Sequence, residues 1–320
     1  MRILYGLEGK KQIDITSQCD LKLRKGKYIV IPANDIIRKN FFTDPLPGIL
    51  KQIYIEKNGN TTVHNDKKTI YIDRFSHDVY ENSPTDFVST TNVKKYTEIK
   101  SKITLLHGSF KQELRDQKLS AIILTGDEKI LQLGGHIGIH TIFLAHLMKN
   151  DSDLLVLESN HEVVEQMKQN RDGNNLHFHI EEAVLSKRPQ FQKGWNRIQC
   201  DSPLPDYKPV ATIDFKAITE RYNILFDTLV LDSENYLDTI LLDMPELLEN
   251  IETIFLKNDY IDSEKHRKTL VNNFLLKNGF ELYYIELGGF GPLRMTFFEV
   301  WKVTEKVGMP ALTDNILSTV

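Results

Sequence analysis

The chain has 320 residues, 40 Lys and Arg against 44 Asp and Glu, and a formal charge of -4; hydrophobic residues make up 41% and charged residues 26%. That is the composition of a globular protein of two domains or one large one, and it lacks the overall basic field that bulk nucleic-acid binding needs. Its 2 cysteines, Cys19 and Cys200, are too few and too far apart for a disulfide framework, which points to a reducing, cytoplasmic setting. No apolar run is long enough to span a membrane. Met1 to Gly6 is followed at once by charge, so these residues do not read as a signal peptide.

The first stretch reads as short strands. Ile3-Leu-Tyr5 and Lys11-Gln-Ile-Asp-Ile15 flank Glu8-Gly9, a hairpin turn. Lys27 to Ile31 is β-branched and stops at Pro32. Gln52 to Glu56 alternates apolar and polar, the period of a half-buried strand, and Asn58-Gly59 signals a second hairpin. Thr61 to His64 and Thr69 to Ile72 continue the pattern. Residues 1–75 are therefore expected to form a small, mostly β module. Asp35, Arg38 and Asp44 lie near its turns and read as loop-fixing residues. Residues 76–92, with Asn82-Ser83-Pro84-Thr85, read as a linker.

From residue 93 the character changes. Tyr96 to Leu119 reads as one or two amphipathic helices. Strands are then expected at Lys129–Leu133, Asp153–Leu157, Leu176–Ile180, Thr228–Leu231, Glu252–Leu256, Glu281–Ile285 and Met295–Val303. Helices are expected at Ile139–Met148, His161–Arg171, Tyr236–Leu248 and Glu264–Lys277, the last closed by Asn278-Gly279. Such alternation means a mostly parallel sheet covered on both faces. The last two strands have only Gly288 to Pro292 between them, with no helix, which implies an antiparallel hairpin at the sheet edge. Residues 304–320 read as a tail.

Ligands of open α/β sheets bind beyond the carboxyl ends of the strands. After the first strand come Gly134, Gly135, His136 and Gly138. The glycines permit a tight turn and close approach to backbone, and the following helix offers free N–H groups. The spacing matches neither G-x-G-x-x-G nor a P-loop, so a pyrophosphate cradle is less well supported than a ligand carrying a carboxylate or hydroxyl. The second strand ends at Glu158, followed by Ser159. Glu158 sits where a carboxylate grips a ribose diol, or where an acid simply stabilises a helix start. Glu182 and Ala183 follow the third strand, where an adenine would lie. Asp232 and Glu234 follow the fourth, facing a second substrate or capping the next helix.

The run Ile130 to Ala145 resembles the first motif of class I S-adenosylmethionine (SAM) methyltransferases and is closest to the FkbM family. Leu155-Val-Leu-Glu158-Ser-Asn160 resembles that family's second motif, and Leu229 to Asn235 its k-i-D-v-E-G. The resemblance covers roughly residues 95–303, within a domain expected over 93–303. It implies a class I methyltransferase-like Rossmann fold, with a seven-stranded sheet ending in an antiparallel hairpin, behind the N-terminal module. It implies SAM as cofactor, held by Gln132, Gly134, Gly135, His136, Gly138, Glu158, Ser159, Glu182, Ala183 and Asp232. It implies O-methyl transfer to a sugar or glycan hydroxyl, with protein and small-molecule hydroxyls open on the residues alone. Asp232, Glu234 and His140 are the candidate catalytic groups.

The sequence departs from the motif in three places. Gln132 replaces an acid, His136 replaces Asn, and Asn235 replaces Gly. These departures favour the alternative of an inactive scaffold on the same fold. A Mg2+ site from Asp232, Asn258 and Asp259 has suitable hard ligands but is not favoured. His177 and His179, on one strand face, lack further metal ligands nearby. Trp195 could stack on a sugar ring but reads first as a packing residue, while Phe290 and Arg294 read as secondary substrate contacts. The N-terminal module reads as a recognition element, or as a surface through which copies associate. Neither nucleic acid nor membrane is an expected partner.

Overall fold

The computed structural model describes residues 1–87, 93–194, 196–200, 202–231, 237–258, 265–287 and 297–303. It opens with the expected hairpin, β1 (Arg2–Gly6) and β2 (Gln12–Asp14), in which Tyr5 faces Ile13. A short helix that the sequence did not signal, α1 (Thr16–Lys22), follows; only its Cys19 is buried, so it carries no apolar stripe to read. Next come β3 (Arg24–Lys25), β4 (Tyr28–Ile31), the single-turn α2 (Asp35–Arg38), β5 (Gln52–Lys57), β6 (Asn60–His64), β7 (Ile70–Asp73) and β8 (Val79–Tyr80). Asn58 and Gly59 have φ of 52° and 78°, so the β5–β6 turn uses the two left-handed positions that match strand twist. The stretch expected as a linker begins with β8, which pairs with β7; residues 88–92 lie outside the described residues.

The β strands of this module enclose their own apolar core, which includes Ile3, Tyr5, Ile29, Ile53 and Ile70. Asp35, Arg38 and Asp44 fix its loops, as their positions suggested. Lys51, 0% exposed, lies 3.0 Å from Asp35 and 2.8 Å from Asp44. The Tyr5 hydroxyl donates to Asp35 at 2.5 Å, and buried Arg38 donates to the carbonyls of Pro32 and Asn65. Burial works against the Lys51 charge, but its two carboxylates outweigh it and raise the amine above its usual range.

The second part opens with α3 (Lys94–Lys100) and α4 (Leu114–Ile123). Glu113, left-handed at φ 53°, stands between them, so the stretch read as one or two helices is two. Then follow β9 (Ile130–Leu133), α5 (Ile139–Leu147), β10 (Leu154–Leu157), α6 (His161–Asp172) and β11 (His179–Glu181). An insertion carries β12 (Val184–Leu185), β13 (Gln190–Lys193), β14 (Asn196–Gln199), β15 (Lys208–Val210) and β16 (Thr212–Ile213). The chain continues through α7 (Phe215–Tyr222), β17 (Thr228–Leu231), α8 (Leu237–Asp243), β18 (Thr253–Asn258), α9 (Lys265–Lys277), β19 (Phe280–Leu287) and β20 (Phe297–Val303). The helix expected over Tyr236–Leu248 stops at Asp243, because Pro245 starts a separate 3-10 turn.

These strands lie in the order β11-β10-β9-β17-β18-β20-β19. The first five are mutually parallel, and β20 runs antiparallel to both β18 and β19. That is the class I methyltransferase-like Rossmann arrangement, with the antiparallel hairpin the sequence predicted. One face packs on α8, α9 and the end of the insertion, through Leu231, Leu241 and Val271. The other packs on α3, α4 and α5, through Tyr96, Leu119 and Phe143.

The module and this sheet are joined edge to edge. Lys25 of β3 pairs with Tyr284 of β19, so β3, β4, β7 and β8 extend the same sheet. Gly26 N donates to Tyr283 O at 3.1 Å, and Arg24 donates to Leu282 O at 2.6 Å.

Candidate functional site

The carboxyl ends of β9, β10 and β11 are tied together by backbone. Gly134 N donates to Leu157 O at 2.9 Å, and Glu158 N to Glu181 O at 3.1 Å. Between β9 and α5 the chain turns sharply, with φ of 83° at Gly134, 47° at His136 and 85° at Gly138. His136 therefore stands where a left-handed residue is needed. Asn and His tolerate that region far better than most side chains, so the replacement of the motif's Asn keeps the turn. Packing alone already requires glycine at 135 and 138: a Cβ on either would overlap Met167 of α6.

Two carboxylates hold this turn. Glu158 accepts three backbone N–H groups, from His136 at 3.0 Å, Ser159 at 2.8 Å and Asn160 at 3.0 Å. Glu158 thus acts as the helix-start acid, and most of its lone pairs are already used. The second carboxylate is Glu113, which accepts from His140 N at 2.9 Å and lies 4.0 Å from the His136 ring. It occupies the N-terminal end of α5, where unpaired N–H groups and the helix dipole attract negative charge. Nothing local in the sequence marks Glu113, which falls inside a stretch read as helix.

Gln132 is fully buried at the end of β9. Its Nε2 donates to Gly134 O at 3.2 Å, and its Oε1 has no hydrogen-bond partner among the described residues. Ser159 donates to Gln192 of the insertion at 3.0 Å, which brings β13 against the loop after β10. Glu182 meets His161 on the surface at 3.0 Å, while Ala183 is buried in the core. Glu181, which with Glu182 and Ala183 ends the third strand where the sequence reading put an adenine, accepts from Arg221 at 2.6 Å and Tyr222 at 2.7 Å. Burial, then the Glu181 hydrogen bond, push the Tyr222 hydroxyl up to about 12.

On the other face of the sheet, a small cavity of about 10 Å³ lies against α4, α5 and the ends of β17, β18 and β20. Its polar lining is Asp116, His140, Lys257 and Glu299. His140 is 2% exposed, and its Nε2 lies 2.8 Å from Ser120 Oγ. Glu299 accepts from Lys268 at 2.6 Å and Trp301 Nε1 at 2.8 Å. Ser120, Lys257 and Glu299 were missed because no motif contains them.

Asp232, Glu234, Asp259, Trp195, Phe290 and Arg294 lie outside the described residues. Among the described residues no three His, Cys, Asp or Glu side chains gather as a metal site. His177 and His179 do not share a strand face, a correction to the expected Leu176–Ile180 strand. β11 starts at His179, whose ring packs 5.0 Å from that of Tyr222, while His177 precedes it and its N–H goes to Asp151. Among the described residues, no helix is long and apolar enough to cross a membrane.

No family model matches the chain, and no curated protein matches it. Solved structures of similar shape include a protein of the NADB-Rossmann superfamily from Streptococcus agalactiae, 16% identical, with a TM-score of 0.41 over 62% of this chain and 70% of that one. They also include an O-methyltransferase from Bacillus cereus in complex with SAH, 14% identical, TM-score 0.40, over 66% and 91%. A third is an rRNA methylase from Streptococcus thermophilus, 9% identical, TM-score 0.39, over 62% and 100%. At these scores the likeness carries no argument, and the fold assignment rests on the strand order itself.

Proposed function

We propose that the chain is a SAM-dependent methyltransferase acting on a hydroxyl, with a sugar or glycan as the acceptor class. One observation carries the choice of ligand: the turn after β9 is held by Glu113 and Glu158, which take the N–H groups of His140 and His136. A dinucleotide's pyrophosphate would need those same N–H groups and would meet two carboxylates there. A ligand with cationic character meets an environment of the right sign. The buried Gln132 Oε1 adds an acceptor awaiting a donor, as an ammonium group would supply.

When bound, SAM supplies the activated methyl group, so the difficult chemistry is the cofactor's. The residues of this chain do the rest. Gln132 and the backbone of Gly134, Gly135, His136 and Gly138 surround the amino-acid end. Glu158 Oε2, with one backbone donor, keeps capacity for a ribose hydroxyl. Ser159, Glu182 and Ala183 border the adenine. On the acceptor side His140, set by Ser120, is the described candidate for taking the hydroxyl proton, with Asp232 and Glu234 as the candidates after β17. The Mg2+ variant would draw on Asp232, Asn258 and Asp259, of which Asp232 and Asp259 lie outside the described residues. The N-terminal module is read as the acceptor-recognition or association element, and the setting as cytoplasmic.

The experiment is transfer of a labelled methyl group from SAM to a panel of sugars and glycans by the purified chain. Label in an ether-linked methyl product, lost in His140→Gln and Asp232→Asn, is the expected result. Binding of SAM without transfer to any hydroxyl acceptor would put the inactive scaffold in its place.

A further inference from the structure

The chain as a whole is acidic, yet residues 93–118 hold seven Lys or Arg against three carboxylates. Glu113 accepts from His140 N and Asp116 lines the cavity, while Glu98 lies 3.5 Å from Lys94 and Arg115 lies 3.1 Å from Glu286 of β19. The remaining five lysines, Lys95, Lys100, Lys102, Lys111 and Lys118, leave this stretch with a local excess of positive charge.

Within that stretch two ammonium groups converge on one ring. Lys100 Nζ lies 5.9 Å and Lys118 Nζ 5.7 Å from the Tyr96 ring centroid. Lys100 also lies 5.2 Å from the Phe110 ring. Neither lysine has a carboxylate partner among the described residues, whereas lysines such as Lys25, Lys51, Lys149 and Lys268 each do. Ring faces favour each cation but leave its charge uncompensated, and an anion bound at this face would supply the compensation.

We infer that Lys100 and Lys118, braced by Tyr96 and Phe110, form a binding site for a phosphate group. The ligand is a compact phosphate rather than an extended nucleic acid. Tyr96 is 7% exposed and packed 5.6 Å from Phe143, so its ring is not offered for base stacking. Beyond this face the net charge is negative, which opposes a long polyanion. Lys118 is on the same helix as Asp116 and Leu119, which line the cavity, so a phosphate-bearing molecule held here lies along the helix that borders it.

The test is calorimetric titration of the full chain with inorganic pyrophosphate at low salt. Saturable one-site binding is expected, weakened at least tenfold in Lys100→Gln/Lys118→Gln, retained in Lys100→Arg/Lys118→Arg, and unchanged in Lys67→Gln, an exposed lysine of the N-terminal module. Absence of saturation, or equal binding by the Gln double variant with its fold shown intact by circular dichroism, overturns the site. Tighter binding of a single-stranded oligonucleotide with a steep salt dependence overturns it in favour of an extended polyanion surface. The readout involves no SAM, so its failure is separate from failure of the methyltransferase reading.

Discussion

The carboxylate of Glu113 accepts the backbone N–H of His140 at 2.9 Å and so closes the N-terminal end of α5 from a residue 27 positions earlier. The contact sets both the local stability and the sign of charge at the turn. Glu113→Gln keeps an acceptor of the same shape but removes the charge. It is expected to weaken SAM binding about tenfold, close to 1.4 kcal/mol, and to weaken binding of the uncharged thioether product less. Equal losses for both ligands, measured by calorimetry, would show that the charge plays no part.

Glu158 holds the turn and, in the proposed function, also faces the ligand, so its variants should separate the two roles. Glu158→Ala removes the acceptor of three N–H groups and should lower stability by about 2 kcal/mol, as well as abolish SAM binding. Addition of SAM should raise the melting temperature of the wild type and leave that of Glu158→Ala unchanged. A shift of the same size in the variant would remove Glu158 from the site.

Gly135 is packed so closely that an added Cβ would overlap Val156 and Met167. Gly135→Ala should cost about 2–3 kcal/mol through overpacking. Met167→Ala in the same chain should recover part of that loss, because it removes one of the two neighbours. A denaturant titration of the single and double variants reads the coupling.

Lys51 is the buried hub of the N-terminal module, 3.0 Å from Asp35 and 2.8 Å from Asp44. Lys51→Met should destabilise the protein by about 3 kcal/mol, since it leaves the buried Asp35 without its cation and Asp44 with Lys39 alone. Hydrogen bonds from Lys51, offset in part by burial, hold the Asp44 carboxyl down to about 2. A depressed carboxylate stabilises the fold above its unfolded pKa and loses that contribution as pH falls through the folded value. The loss therefore falls between about pH 4 and pH 2, and Lys51→Met should flatten it in acid-unfolding curves.

Lys25 sits at the seam between module and sheet, 3.2 Å from Glu286, and burial lowers its amine to about 8 despite that carboxylate. Between this value and the usual lysine pKa the unfolded chain binds the extra proton, so stability rises with pH across that window. The rise should be smaller in Lys25→Met when denaturation midpoints are compared from pH 7.5 to 10.

Much of the sheet was legible because its strands are buried on both faces and spell unbroken apolar runs, such as Leu154 to Leu157 and Thr228 to Leu231. The insertion was not, since Gln190-Phe-Gln-Lys193 and Asn196-Arg-Ile-Gln199 are short, polar and lean on one another rather than on the core. α7 was overlooked although Asp214 accepts from Ala217 N at 2.8 Å, as an N-cap should. The turn after β9, with Gly134, His136 and Gly138, and Glu158 against it could be placed because they follow strand ends. Glu113 reaches that turn, and Ser120 and Glu299 the cavity beside His140, from other elements, and only the tertiary fold brings them there.

The most direct test is a calorimetric titration of the purified chain with SAM and, separately, with NAD. Saturable SAM binding at one site, with NAD binding absent or at least a hundredfold weaker, is the predicted result. NAD binding tighter than SAM would contradict it, because the Glu113–Glu158 pair would then have failed to exclude a pyrophosphate.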